Sequence, residues 1–209
     1  MTDFQFPREY SFPPFFTRQT NLTTHHAQLT KWSALVLAYC QHHRIYRLSL
    51  SPSASSASAT AAGATTSLPA DLFANRRINR QLSATDIREV IDFMRRDGRA
   101  EYLHVPGGHG QESGLSIVGS GGSGSSGGDV VWIYWRTPEE WAGLLERWIE
   151  ETGQKGTVLT LYELAEGEKT LGTEFHGLDN DLLLKALGVL VKRGKAQIFG
   201  QESSGVKFF

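Results

Sequence analysis

The residues of this chain that could do acid–base or covalent chemistry are few, and their spacing works against them. Glu174-Phe175-His176 sets one imidazole near a carboxylate, but no second ligand or nucleophile stands at a telling spacing. Glu139/Glu140 and Glu150/Glu151 are paired carboxylates at the two ends of one expected helix, where capping and solvation account for them. His25-His26 and His42-His43 mark the ends of another helix. Adjacent helical residues point about 100° apart, so neither pair chelates well alone, and polar surface is expected. Cys40 is the only cysteine, which rules out an internal disulfide or a Cys-rich zinc site; its place on an apolar stripe reads as core. Gly119-Ser-Gly121-Gly-Ser-Gly124 matches the GxGxxG spacing, but Ser125-Ser-Gly-Gly128 and then a strand follow it. A pyrophosphate site needs a helix there, so these glycines read as a flexible tip. The expectation is a protein with no catalytic residues, no metal and no cofactor.

The elements that would have to position a site form a repeat. Leu178–Phe199 reads LDNDLLLKALGVLVKRGKAQIF and Leu82–Leu103 reads LSATDIREVIDFMRRDGRAEYL, matching Leu82 to Leu178, Ile87 to Leu183, Ile91 to Leu187, Met94 to Leu190, Gly98 to Gly194 and Ala100 to Ala196. Asp179 and Ser83 are placed as N-caps, with Leu178–Leu183 and Leu82–Ile87 as hydrophobic staples. Leu183, Ala186, Leu187 and Leu190 recur at helical spacing, and each glycine supplies a left-handed C-terminal residue before a short strand. Second strands follow at Val130–Trp135 and Val206–Phe209. Helix, strand, loop, strand is the back half of a winged helix. The fold expected is α+β: two tandem winged-helix domains, each with helices packed on a small antiparallel hairpin or sheet.

Read in order, residues 4–16 (FQFPREYSFPPFF) hold five phenylalanines, one tyrosine and three prolines, which excludes an α-helix. They either fold back onto their own domain or form a preordered peptide that inserts into a partner's pocket. The number of rings, set against the size of a small domain, favours the second. Thr23 or Thr24 opens a helix to about His43, with Leu29, Trp32, Leu35, Val36, Tyr39 and Cys40 as its stripe. Ile45–Leu50 alternates like a strand, 51–67 is low-complexity, and 68–82 should carry a short second helix anchored by Leu72, Phe73 and Ile78. A second insert spans 106–129. Thr137-Pro138-Glu139-Glu140 starts a helix with Trp141, Leu144, Leu145, Trp148 and Ile149 on its inner face. The boundaries expected are an arm at 1–20, a first domain at 21–136 and a compact second domain at 137–209.

Charge is nearly balanced, with 21 basic and 22 acidic residues and a pI near 6.7, which argues against a general polyanion binder. There is no basic-then-apolar leader and no apolar run of the ~20 residues a membrane span needs, so a soluble, cytoplasmic protein is expected. A winged-helix transcription regulator is the alternative to weigh. Its third helices would need a cationic reading face, whereas 83–96 balances three arginines against Asp86, Glu89 and Asp92, and the acids of 178–193 lie in its first turn. Arg76, Arg77 and Arg80 could form a local basic patch, though solvated surface accounts for them.

Four motifs in order resemble the vacuolar protein sorting 25 family, the small subunit of the ESCRT-II endosomal sorting complex: Phe6–Gln19 (FPREYSFPPFFTRQ), Trp135–Leu145 (WRTPEEWAGLL), Thr160–Leu164 (TLYEL) with Glu174–Asp179 (EFHGLD), and Gly205–Phe209 (GVKFF). The likeness spans the chain apart from the two inserts. It implies a non-enzymatic adaptor with two copies per complex alongside two larger winged-helix subunits. The family's N-terminal Pro-aromatic motif, which docks on those larger subunits, maps onto Tyr10, Phe12, Pro13, Pro14, Phe15 and Phe16, with Phe16 where the family's PPxY-like motif has tyrosine. It also implies recruitment of an ESCRT-III initiating subunit through the second domain, work on ubiquitinated cargo at the endosome, no nucleic acid, and membrane contact only through the complex. Helical geometry adds Asp181, Lys185 and Lys192, on the side of the last helix left outside the core, with Lys195 at the start of the hairpin that follows, as candidates for the ESCRT-III contact.

Overall fold

The computed structural model describes residues 3–50, 66–103, 130–200 and 205–209. The expectations for the second insert, its GxGxxG spacing included, and for 51–65 lie outside those residues. Two 3₁₀ turns, Arg8–Ser11 and Pro13–Phe16, precede helix α1 (Leu22–His42). Asn21 caps α1, its side chain accepting from the amides of Thr23 and Thr24 at 3.0 and 3.2 Å. Strands β1 (Arg47–Ser49) and β2 (Thr66–Ser67) follow, so the stretch read as low-complexity ends in a strand. The second helix expected over 68–82 is absent. In its place β3 (Ala74–Asn75) and β4 (Arg80–Gln81) form a hairpin. Asn79 turns it at φ 50, a left-handed position that Asn tolerates, and Leu72 and Phe73 serve as anchors outside any helix.

The two repeats keep the same local grammar. Helix α2 (Ala84–Arg96) is capped by Ser83, whose hydroxyl accepts from the Asp86 amide at 3.1 Å, and gives way at Gly98 to β5 (Ala100–Tyr102) and then β6 (Val130–Ile133). Helix α3 (Pro138–Glu151) opens with a full capping box between Thr137 and Glu140. Strand β7 (Val158–Thr160), helix α4 (Leu161–Ala165), helix α5 (Asn180–Lys192) capped by Asp179, and strands β8 (Ala196–Phe199) and β9 (Gly205–Phe208) complete the chain. Gly98 and Gly194 stand at φ 69 and 70, the left-handed exit that both repeats require. The sheets run β2-β1-β6-β5 and β7-β9-β8, with β1–β2 the only parallel pair among the described strands. Each half packs helices on a small, mainly antiparallel sheet, which is the tandem winged-helix arrangement.

Strand β6 serves both halves. Val131 and Ile133 enter the first core with Val36, Leu48, Ile91 and Met94. Trp132 and the adjoining Tyr134 point the other way, into the second core with Trp141, Leu145, Leu183 and Leu187. A pleat with period two, apolar on both faces, makes the strand a shared wall. The second core therefore begins upstream of the boundary expected at 137.

Candidate partner-docking surfaces

The N-terminal arm is fastened from several directions. The Phe15 carbonyl accepts from Gln28 Nε2 at 2.8 Å and from Trp32 Nε1 at 3.0 Å. The Phe15 ring stacks on Trp32 with centroids 4.4 Å apart and 6° between planes, and Phe16 meets the same indole edge-on at 5.4 Å. Tyr10 stacks on Phe6 at 4.0 Å, and Asn75 Nδ2 donates to the Tyr10 carbonyl at 2.7 Å. The Tyr10 hydroxyl lies on the carbonyls of Asp71 and Ala74, and burial, with the Asp71 charge adding to it, pushes the phenol up to about 12. Arg18 forks onto Glu89, with both contacts at 3.1 Å, and Glu89 also meets His25 Nε2 at 3.0 Å. One histidine of the first pair thus ties helices together rather than standing idle on the surface.

This corrects the expectation of an arm standing free of its own domain. Tyr10, Phe15 and Phe16 are buried in the first core. The rings do not compete for a small core; they stack on one another and on Trp32, so they build it. The prolines fit because each 3₁₀ turn tolerates a missing amide at its start. Left outward are Phe12, 58% exposed, and the exposed Pro13 and Pro14. Sequence reasoning put Trp32 on the helix's apolar stripe but missed Gln28 and the part the two play as the cradle of the arm; a polar residue one turn before a tryptophan on that stripe was the available sign.

On the second half, the four residues placed outside the core by helical geometry divide into two groups. Asp181 and Lys185 face the first half. Arg47 Nη2 lies 2.8 Å from Asp179 Oδ1 and 2.6 Å from Asp181 Oδ2. Lys185 Nζ meets Glu101 Oε2 at 2.6 Å and the Tyr134 hydroxyl at 2.8 Å, and Tyr134 donates to the same Glu101 oxygen at 2.6 Å. Burial pushes the Glu101 carboxyl up, but hydrogen bonds from Lys185 and Tyr134 outweigh it and hold the group below its ordinary range. The expected free face is thus partly a junction, and the acidic first turn of α5 is turned to Arg47. Lys195 pairs with Glu146 at 3.4 Å, while Lys192 is exposed without an ion-pair partner among the described residues.

The residues missed here are Arg47, Glu101, Trp132 and Tyr134. Register explains their grouping: Arg47 and Glu101 are the two cross-strand partners of Trp132, so all three project from one face of the sheet toward the second half. The Arg47 guanidinium lies 4.2 Å above the Trp132 ring. Arg44 joins them from φ 52, a left-handed conformation that a long side chain rarely adopts, and Nη1 donates to the His176 carbonyl at 2.6 Å.

The second half also carries half-exposed apolar side chains on the outer face of its sheet. Val158 and Phe199 are 54% and 41% exposed, and Phe199 lies across Gly205, where a Cβ would stand 2.9 Å from the ring. The pairings Val158↔Lys207 and Gln197↔Lys207 put Lys207 on the same face, 5.6 Å from the ring of the 52%-exposed Phe209. Among the described residues no group of three or more His, Cys, Asp or Glu could hold a metal, and no helix is long and apolar enough to cross a membrane.

Comparison with known proteins places this geometry. The family model described as ESCRT-II complex subunit matches residues 9–179. Vacuolar protein-sorting-associated protein 25 of Xenopus laevis is 35% identical over 207 residues, covering 99% of each chain. The human protein of that name is 37% identical, over 99% of this chain and 98% of its own. Among solved structures, subunit VPS25 of the endosomal trafficking complex ESCRT-II superposes with a TM-score of 0.72 at 28% identity, over 97% of this chain and 98% of that one. A chain of the crystal structure of endosomal complex ESCRT-II (VPS22/VPS25/VPS36) gives 0.69 at 29%, with the same coverage.

Proposed function

This chain belongs to the ESCRT-II complex subunit family, and from that premise we propose that it is the complex's non-catalytic adaptor, joining two larger subunits to an ESCRT-III initiating subunit. The larger subunits correspond to the VPS22 and VPS36 of the solved complex, with two copies of this chain per assembly. The task served is the sorting of ubiquitinated membrane cargo into multivesicular endosomes, with the protein drawn to the endosome surface through the complex. The observation that carries the first contact is Phe12: it stands 58% exposed between two fastened turns and next to Pro13 and Pro14. The arm is thereby presented as a rigid plug, its ordering entropy already spent in folding. A buried aromatic anchor of this kind commonly costs ~2 kcal/mol or more when truncated.

Co-purification of the full chain with the two larger subunits of the same organism tests it. Phe12→Ala should abolish assembly and leave the melting temperature of the chain alone unchanged. Assembly that survives Phe12→Ala together with Pro13→Ala and Pro14→Ala would refute the docking assignment. For ESCRT-III, the face that suits an amphipathic helix is the outer sheet of Val158, Lys207, Phe199 and Phe209, flanked by Lys195 and Lys192. Phe199→Ser should weaken capture of the initiating subunit without disturbing assembly with the larger ones.

A further inference from the structure

A concavity of about 820 Å³ opens beside the fastened arm, between its first turn and the β3–β4 hairpin. Its floor is aromatic and small: Phe6 and Tyr10 from the arm, Ala70 and Ala74 from the hairpin side. Arg76 and Arg77 stand on its rim, with Arg80 across the same hairpin; all three are exposed and have no ion-pair partner among the described residues. One acid lines the space, Asp71, and one of its oxygens already accepts from the Tyr39 hydroxyl at 3.0 Å. The two unpaired guanidiniums of Arg76 and Arg77 against one engaged carboxylate leave the rim cationic.

We propose that this concavity is a docking groove for an extended acidic peptide segment of a partner protein, an apolar side chain seated on Phe6 and Ala74 and flanking carboxylates taken by Arg76 and Arg77. Arginine suits the task because its planar fork meets a carboxylate in two parallel hydrogen bonds. Concavity favours a peptide over a flat anionic membrane, which would need the arginines on a convex tip. The hairpin turn at Asn79 holds Arg76 and Arg77 in place, so little loop ordering is needed on binding. Phe12 itself does not line the groove, which adjoins its contact through Tyr10 and Ser11.

Titrating the ¹⁵N-labelled full chain with the capped peptide Glu-Asp-Leu-Asp-Glu tests this, with its Gln/Asn counterpart and phosphatidylserine-containing vesicles as parallel arms. Saturable shifts are expected at the amides of Gln5, Ser11, Ala70 and Asn75, with affinity falling as salt rises and about tenfold or more weaker for the neutral peptide. Arg76→Gln with Arg77→Gln, which keeps the hydrogen-bonding loop, should lose binding by a similar factor, while Phe12→Ala should leave it intact. Equal binding of both peptides, shifts elsewhere on the surface, or vesicle binding without peptide binding would each overturn the proposal.

Discussion

Arg47 and Asp179 lie 132 positions apart, yet one Asp179 oxygen serves both halves of the molecule. It accepts the amides of Asp181 and Leu182 at 2.9 and 3.3 Å as the N-cap of α5, and takes Arg47 Nη2 at 2.8 Å. Their side chains are 14% and 3% exposed, so the pair is little screened. Removing the arginine leaves a buried carboxylate facing only backbone donors. Arg47→Met should cost roughly 3 kcal/mol in urea unfolding. Asp179→Asn keeps a competent cap and should cost less, and the two should be non-additive in a double-mutant cycle. Additive effects would mean that the pair is not coupled.

The caps of α2, α3 and α5, the glycine exits and the duplicated stripes were legible in the sequence because each is a local rule with a local residue, whereas α1 opens at Asn21 rather than at Thr23 or Thr24. What was not legible depended on partners far along the chain. Lys185 looked outward because helical geometry alone ranks residues by their own helix's core, and nothing local reveals that Glu101 and Tyr134 stand opposite. The sign available was Val130–Trp135, apolar at every position. A strand with one solvent face should alternate, so this run meant cover on both sides. The missing second helix has a similar cause: Leu72, Phe73 and Ile78 anchor the first core equally well from a hairpin, and Asn79 supplies its turn.

Lys185 and Glu101 give a test by acid. Glu101's carboxyl is held below its ordinary value of 4.5 in the folded protein. A depressed folded pKa contributes stability that is present above the unfolded value and is lost as pH falls through the folded one. The folded chain should therefore lose stability on acidification below about 4.5, and Glu101→Gln should flatten that limb. Lys185→Glu should lower the melting temperature at neutral pH as well, because it sets two carboxylates against the Tyr134 hydroxyl. An unchanged melting temperature would return Lys185 to the free surface.

Tyr10 gives the alkaline counterpart. Its phenol is raised to about 12 by burial and the Asp71 charge. A raised folded pKa means stability present below the unfolded value near 10 and lost as pH climbs toward the folded one. Between pH 10 and 12 the arm should loosen, read as tyrosine ionisation that coincides with loss of near-ultraviolet circular dichroism from Trp32. Tyr10→Phe forfeits the hydroxyl's hydrogen bonds, at about 1 kcal/mol at neutral pH, and should remove its share of the alkaline transition. Ionisation at an ordinary pH with the Trp32 signal intact would show the arm to be loosely held.

Trp132 carries the sharpest consequence of the shared wall. It is 1% exposed, sits in the second core, and lies under the Arg47 guanidinium, while its strand neighbours Val131 and Ile133 fill the first core. Two cores joined through one buried strand and a buried ion pair should unfold as one unit, so calorimetric and van't Hoff enthalpies of the full chain should agree. Trp132→Ala removes the large side chain that bridges them, at a cost of about 3–5 kcal/mol. The loss falls on the second core, so that half should melt first and split the single transition into two. Trp132→Phe keeps most of the volume and should retain one transition at lower temperature. If the unaltered chain already melts in two steps, the wall does not couple the halves, and a boundary near residue 137 describes the molecule better than a shared strand.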